Sequence, residues 1–424
     1  MGMKSFSVEN YRAFASRADI CIRPLTLLFG FNSAGKSALL RWLPLLRDSL
    51  DSTSQPLNLG AVSMRGAAFD NILSRFSSGR ALSFEVKGDS GRVHHVIRDL
   101  PDKRKRVVEV YEVEREGQFG RLEWLALDDQ PNAYKLTTNG IPELVEVTFS
   151  GLFPVASQHK RNNDYAVRDL TIEGMKLIGT EILKNEIGNT YWLQANRAVP
   201  PRKEVVSGSL GSIHPDGSGI TEFLYEEYYN GSDIIEELSK WYKTATGYTM
   251  TVKRGAFLDS DLYSFGLEAA GSFIELADTG EGMGQVLPIL GLLMLAERGR
   301  LGEKPTLLLE HPELHLHSAA EPALANLLCS VAASGTANIV AETHSESFLL
   351  ALQLAVIEGR LSPQDVAVYW VRQTDGLAAT VNEITFDEGG RPTGGAWPPG
   401  VFDEKAEQAR KVVLARRAQI KNAN

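Results

Sequence analysis

Cysteine is nearly absent. Cys21 and Cys329 are the only two in 424 residues and lie far apart in apolar surroundings. That excludes a disulfide framework and a cysteine-type zinc site, and it suits a reducing cytoplasm. Long apolar runs are missing as well. No window approaches the roughly 20 uninterrupted apolar residues of a membrane span, and the opening MGMKSFSVENYRAF has no apolar signal-peptide core. The sequence therefore predicts a cytoplasmic protein that is neither exported nor membrane-spanning. With a net charge of −9 there is no coat of positive charge for indiscriminate nucleic-acid binding, so such contacts would need a local patch. Heptad runs stop after two or three repeats, and internal repeats and low-complexity tracts are lacking, which excludes a long coiled-coil arm. A hydrophobic fraction of 43% and a charged fraction of 23% are those of a globular chain with one large or two ordinary cores.

What is present centres on Phe29 to Leu40, FGFNSAGKSALL. Gly30, Gly35, Lys36 and Ser37 fit G-x-x-x-x-G-K-[ST], with the apolar strand Leu25 to Phe29 before them and helical sequence after them. A polyphosphate carries several negative charges, so its cradle needs backbone N–H groups converging at a helix N-terminus, and glycines let the backbone come close. The loop residues Gly30, Asn32, Ser33, Ala34, Gly35, Lys36, Ser37 and Ala38 are the predicted nucleotide cradle. Lys36 would face the β- and γ-phosphates, and the Ser37 hydroxyl would take one position on Mg²⁺.

Ser5 to Leu28 alternates as two or three strands leading into the loop, and Ser37 to Leu50 reads as a helix that Pro44 kinks or interrupts. Strand-like runs punctuated by turns continue to about Leu127 and predict an antiparallel meander, with Lys103 to Arg106 at a hairpin shoulder. Residues 134–248 change character around NRAVPPRKEVVSGSLGSIHPDGSG and read as an inserted, mostly helical lobe. After strands over 249–277, helix and strand alternate to Arg372, which implies a parallel sheet shared with the P-loop strand. The predicted fold is α/β. It comprises an ATPase-head N-terminal part (1–133), the lobe (134–248), a C-terminal head part (249–380) and a tail with a basic helix (381–424).

Thr306-Leu-Leu-Leu-Glu310 is an apolar strand ending in a carboxylate, the Walker B arrangement that sets an acid beside Mg²⁺. Ala341-Glu-Thr-His344-Ser345 follows one helix and strand later and places His344 as a γ-phosphate sensor. Together these stretches resemble the ABC-type P-loop ATPases of bacterial defence and DNA-repair systems, including the ATPase part of the overcoming-lysogenization-defect nucleases. The phrases PLTLLFG, NRAVPPR, DTGEGMGQVLPI, ETHSESF and WPPGVFDE resemble in particular a prokaryotic group named simply AAA-family ATPases, and they span nearly the whole chain.

The resemblance implies heads that stack head-to-tail around two Mg-ATP, as a homodimer or higher homo-oligomer. Asp278 to Pro288 would be the signature acting on the partner's nucleotide through Gly280, Gly282, Gly284 and Gln285. It also implies a catalytic set of Lys36, Glu310, His311 and His344, with Ser37 and Glu310 holding the metal. Gly284 stands where the family pattern has serine, and His311 stands where ABC-type enzymes usually place a catalytic glutamate. The phosphates and Glu310 around His311 favour its protonated form, so hydrolysis is expected to be slow.

Other readings compete. His311, Glu313, His315 and His317 could form a metal cluster, which would make the protein a metallohydrolase. A nucleotide-dependent scaffold that barely hydrolyses ATP is the other alternative. About eighty residues follow His344 without a D-x-D after a strand, so a nuclease in cis is not expected and the effector is expected to be a separate protein. The basic stretches Lys103 to Arg106 and Lys405 to Lys421 leave nucleic acid open as a partner, with a solvated face the plainer reading. Arg197 to Arg202 reads either as a segment reaching the nucleotide or as a rigid hinge.

Overall fold

Strands come first in the computed structural model, which describes residues 2–138, 141–156, 163–206, 210–257, 260–269, 271–374, 376–393, 397 and 401–402. β1 (Met3–Glu9), β2 (Ala18–Cys21) and β3 (Leu25–Gly30) lead into α1 (Lys36–Ser49) and the short α2 (Phe69–Ile72). Then come β4 (Ala81–Gly88), β5 (Gly91–Leu100), β6 (Lys105–Arg115), β7 (Gln118–Trp124), β8 (Ala133–Thr138), β9 (Ile141–Ser150) and β10 (Phe153–Ala156). Next are α3 (Asn163–Ile187), β11 (Thr190–Leu193), β12 (Glu204–Val205), α4 (Ile220–Tyr229) and α5 (Ile234–Thr246). β13 (Thr249–Phe257), β14 (Ser260–Ala269) and β15 (Ser272–Glu275) precede α6 (Glu281–Glu297). The chain continues through β16 (Thr306–Glu310), α7 (Glu321–Ser334), β17 (Asn338–Thr343), α8 (Glu346–Ile357), β18 (Val366–Arg372) and β19 (Thr380–Ile384).

A six-stranded sheet, in the order β11-β16-β17-β3-β18-β19, is parallel except for its last strand. All of β3, β16 and β17 is buried, as expected of strands covered on both faces. Alternation decides which residue faces which layer. Leu25, Leu27, Phe29, Leu307, Leu309, Ile339 and Ala341 pack with the helices α4 to α8, whereas Leu28, Leu308 and Val340 pack with α1 and the antiparallel sheet. That second sheet has nine strands in the order β10-β9-β8-β7-β6-β5-β4-β1-β2. Leu39, Leu40, Trp42, Leu43, Leu45 and Leu46 of α1 are fully buried between the two sheets. β12, β14 and β13 form a small third sheet, with β15 paired to β14.

Two expectations are corrected. Pro44 does not end or interrupt α1, which runs as helix to Ser49, because apolar side chains on both sides of the proline are locked into the core. The stretch 134–156, read as the start of a helical lobe, forms β8 to β10 and extends the meander. Beyond it, the helices expected in 134–248 are present, but they join existing layers. α3 packs on the antiparallel sheet through Ile172, Met175, Ile182 and Leu183, β11 edges the parallel sheet, and α4 and α5 enter the core beside α6. The basic stretch Lys405 to Lys421 lies outside the described residues.

Candidate functional site

The loop between β3 and α1 has the backbone that its glycines allow. Gly30 has φ 151°, and a Cβ there would sit 2.1 Å from the Val371 carbonyl oxygen. Gly35 has φ 108° and is the N-cap of α1, with no side-chain cap on the helix's first N–H groups. Those donors are left for an anion. Asn32 and Ser33 are exposed at the loop's crown, Ala34 is buried, and Ser37 and Ala38 are half-buried at the start of the helix. Lys36 folds back over its own loop, donating to the carbonyls of Phe31 (2.8 Å) and Gly30 (3.0 Å), and is 2% exposed. Burial lowers its pKa to about 8 against the opposing pull of Glu342 and Glu313.

The carboxylate that meets Ser37 is Glu342, not Glu310. Ser37 Oγ donates to Glu342 Oε1 at 2.7 Å, and Lys36 Nζ lies 3.9 Å from the same oxygen. Glu310, predicted to stand beside Ser37 and a metal, instead receives Arg41 Nε and one Arg41 terminal nitrogen, each at 2.6 Å, and Trp192 Nε1 at 3.0 Å. The reason is strand order. Glu310 and Glu342 pair in register on the face toward α1, but β17 adjoins β3, whereas β16 is one strand further out. Ser37 and Arg41 are one helical turn apart on α1, so each meets one of the two acids.

His344 sits at the end of β17, where the sequence reading puts it, with Nδ1 2.6 Å from the Gly30 carbonyl and Nε2 3.4 Å from Lys36 Nζ. Burial and the neighbouring charges of Lys36 and His311 lower its pKa. The His311 ring stacks on it at 4.8 Å and 16°. His311 has φ 42°, and its imidazole lies between Glu342 (3.4 Å) and Glu313 (3.6 Å). Burial pushes its pKa down, but the two carboxylates more than offset this and bring it to about 9. The acids around His311 are thus Glu313 and Glu342, while Glu310 is turned to Arg41. Glu313 also accepts the His344 backbone N–H at 3.1 Å, tying the loop after β16 to the end of β17.

The signature stretch divides. Gly280 is exposed with nothing within 4 Å of an added Cβ, and Gly282 lies beneath the His315 carbonyl. Both line a cleft of about 500 Å³ with Met283, His315, His317 and Ala320, and no P-loop residue lines that cleft. Gly284 and Gln285 are buried instead of approaching a surface. A Cβ on Gly284 would meet Val199 at 2.6 Å, and Gln285 is 5% exposed. Arg197, 4% exposed, donates to the backbone carbonyls of Gln285 (2.8 Å), Gln194 (3.2 Å) and Glu310 (3.2 Å), so the NRAVPPR segment locks α6 to the end of β16. The histidine cluster is not assembled. His315 faces Glu281 at 3.7 Å, His317 Nδ1 accepts the Ala319 N–H, and among the described residues no three His, Cys, Asp or Glu side chains are grouped to hold a metal.

These residues fit a nucleotide with its Mg²⁺. Helix N–H groups lack a cap, a lysine lies in the loop, and buried Glu342 keeps Oε2 without a hydrogen-bond partner. A parallel sheet with the P-loop at one strand end and His344 at the next defines an ABC-type P-loop ATPase fold. The chain belongs to the family described as "AAA domain, putative AbiEii toxin, Type IV TA system", whose profile matches residues 25–351. No curated protein matches the sequence.

Among solved structures it is similar to an Smc head bound to the C-winged helix domain of ScpA, at 12% identity and TM-score 0.49, covering 92% of this chain and 99% of that one. It is similar to a Pyrococcus furiosus Smc head with an extended coiled coil bound to the C-terminal domain of ScpA, at 11% identity and TM-score 0.47, covering 98% and 99%. An SMC head domain from Thermotoga maritima matches at 10% identity and TM-score 0.39, covering 90% and 98%. Among the described residues no helix is long and apolar enough to cross a membrane.

Proposed function

We propose that the protein is a cytoplasmic ATP-driven switch that binds Mg-ATP at Gly30 to Ala38, hydrolyses it slowly and dimerises on it to act on an effector protein. The observation that carries this reading is the meeting of Lys36 and His344 over the Gly30 carbonyl, which joins the P-loop to a strand end 308 residues away. Bound Mg²⁺ supplies charge neutralisation on the phosphates. The residues hold and orient the nucleotide. Lys36 would leave its loop carbonyls for the phosphates, the N–H groups of Lys36 and Ser37 would point at them, and His344 would stand beside the terminal one.

Head-to-tail pairing is supported by the separation of the Gly280–Gly282 cleft from the P-loop, which leaves each incomplete without a second copy. Slow turnover is supported by the sequence Glu310-His311, which lacks the carboxylate usually following the Walker B acid. The defence or DNA-repair role and the effector follow from resemblance to the families named above. A scaffold with negligible hydrolysis is the second reading, favoured by the same His311.

Calorimetric titration with ATP and a turnover assay test both. Lys36→Ala removes a charged donor worth about 1.5–3 kcal/mol, so ATP binding should weaken roughly 10- to 100-fold while the fold survives. Unchanged affinity overturns the nucleotide site. Turnover below about 1 s⁻¹ but above the uncatalysed rate supports the switch, and none at all supports the scaffold.

A further inference from the structure

Two carboxylates compete for the role beside the metal, and their hydrogen bonding separates them. Glu310 is 1% exposed with both oxygens engaged, Oε1 by Arg41 Nε and Trp192 and Oε2 by the bidentate Arg41 guanidinium. A fork-to-fork pair of this kind is among the strongest side-chain interactions, and breaking it would leave Arg41 a half-buried, unpaired cation. Glu342 is 2% exposed, and its position differs in kind. Oε1 accepts the Ser37 hydroxyl and lies near His311 Nε2, while Oε2 is buried without any partner. A carboxylate oxygen buried without a partner is costly, and beside the Ser37 hydroxyl at the start of α1 a cation is the ligand that would satisfy it.

We infer that Glu342, together with Ser37, is the protein's oxygen donor to the divalent cation of the bound nucleotide, directly or through one of its waters, and that Glu310 is the anchor of Arg41. This rests on the nucleotide reading above and assigns the metal side of that same site. Mg²⁺ requires oxygen ligands in octahedral arrangement and commonly takes one or two from protein, the rest from phosphates and water. Neighbouring octahedral ligands about 2.1 Å from the ion are about 3 Å apart. Ser37 Oγ and Glu342 Oε1, at 2.7 Å, are already near that spacing. The Glu310–Arg41 pair instead fixes the second turn of α1 against β16, which holds Ser37 one turn earlier in place.

The test uses the full chain, a non-hydrolysable ATP analogue and Mn²⁺ as the probe, read by the loss of the free-ion electron paramagnetic resonance signal. Analogue affinity is measured in parallel with Mg²⁺ and with EDTA. Glu342→Gln should weaken Mn²⁺ binding to the nucleotide-bound protein at least tenfold and remove the gain in analogue affinity that Mg²⁺ gives over EDTA. Glu310→Gln, which keeps one acceptor oxygen for Arg41 and gives up the other, should change Mn²⁺ affinity less than threefold. Should Glu342→Gln not fold by circular dichroism, Glu342→Asp against Glu310→Asp carries the same comparison and the same expected order. Equal losses, the reverse order, or wild-type Mn²⁺ affinity in the Glu342 variant would overturn the inference alone. A wild-type protein that binds no analogue under either condition would overturn the nucleotide reading and the inference with it.

Discussion

His95 offers a sharp test of how the antiparallel sheet is held. It lies in β5 with no exposed surface, stacked on Phe84 at 4.7 Å and 9° and edge-on to Tyr111 at 4.9 Å. Nε2 lies 3.0 Å from the Leu152 carbonyl, so the neutral ring donates there, and Nδ1 has no partner. Burial, the largest influence, carries its pKa from the ordinary 6.5 down to about 3, with the Leu152 carbonyl opposing and the neighbouring His94 assisting. Between those two values the unfolded chain holds a proton that the folded chain refuses. Stability therefore falls as pH drops below about 6.5 and stops falling near pH 3.

The full span is worth about 5 kcal/mol at 1.36 kcal/mol per unit, and the part realised at pH 5.0 is about 2 kcal/mol. His95→Phe removes this proton while keeping the aromatic stack. It gives up the Leu152 bond, at about 1–2 kcal/mol near neutrality. Urea unfolding at pH 7.5 and 5.0 should show the wild type losing about 2 kcal/mol more than the variant, so the two converge in stability at the lower pH. The groups common to both proteins cancel in the difference. Parallel losses, within about 0.5 kcal/mol, would refute the claim that His95 is buried neutral.

Gly284→Ser restores the residue usual in the family pattern, yet its Cβ would meet Val199 at 2.6 Å. It should destabilise the protein by about 1–3 kcal/mol in thermal or urea unfolding, with Val199→Ala recovering most of the loss in a double-mutant cycle. If the nucleotide is shared between copies, Lys36→Ala and Gly280→Trp subunits should each fail alone, yet mixing them should recover part of the ATP-linked dimer in light scattering, because one composite site keeps both intact halves. Gly280 suits this test because nothing lies within 4 Å of its added Cβ, whereas Gly282 is pressed beneath the His315 carbonyl.

The elements that sequence disclosed are those whose signal is local. Strand, glycine turn and helix are contiguous over Leu25 to Ser49, so the P-loop could be read as one piece, and the αβ alternation after Glu281 carried the parallel sheet in the same way. β8 to β10 lie at the start of the stretch 134–248 that reads as helical, and only their pairing with β7 and with one another shows that they continue the meander. Gly284 and Gln285 follow exposed Gly280 on one motif, so the sequence reads all three as facing a nucleotide. Only the packing of Val199 and the Arg197 bond to Gln285 shows that the motif enters the core partway along.

The partner of Ser37 is hidden in the sequence for a deeper reason, because a motif names a residue but the sheet decides what it reaches. Glu310 and Glu342 are 32 positions apart in sequence, yet they are partners on one rung of adjacent parallel strands. Ser37 and Arg41 are four positions apart, and the helix turns both toward that rung. Two donors on one helix and two acceptors on one rung can match only in the order that strand adjacency allows, and β17 is the strand beside β3. The serine thus falls to Glu342 and the arginine to Glu310. Exchanging the two would require Glu310 to span an extra strand, roughly 4.8 Å, and would leave Arg41 without its acid. The spacing of the motif could not reveal this, but Ala341-Glu-Thr-His344 holds the clue: a charged residue near the end of a wholly buried strand, two positions before His344, is there for a partner across the sheet.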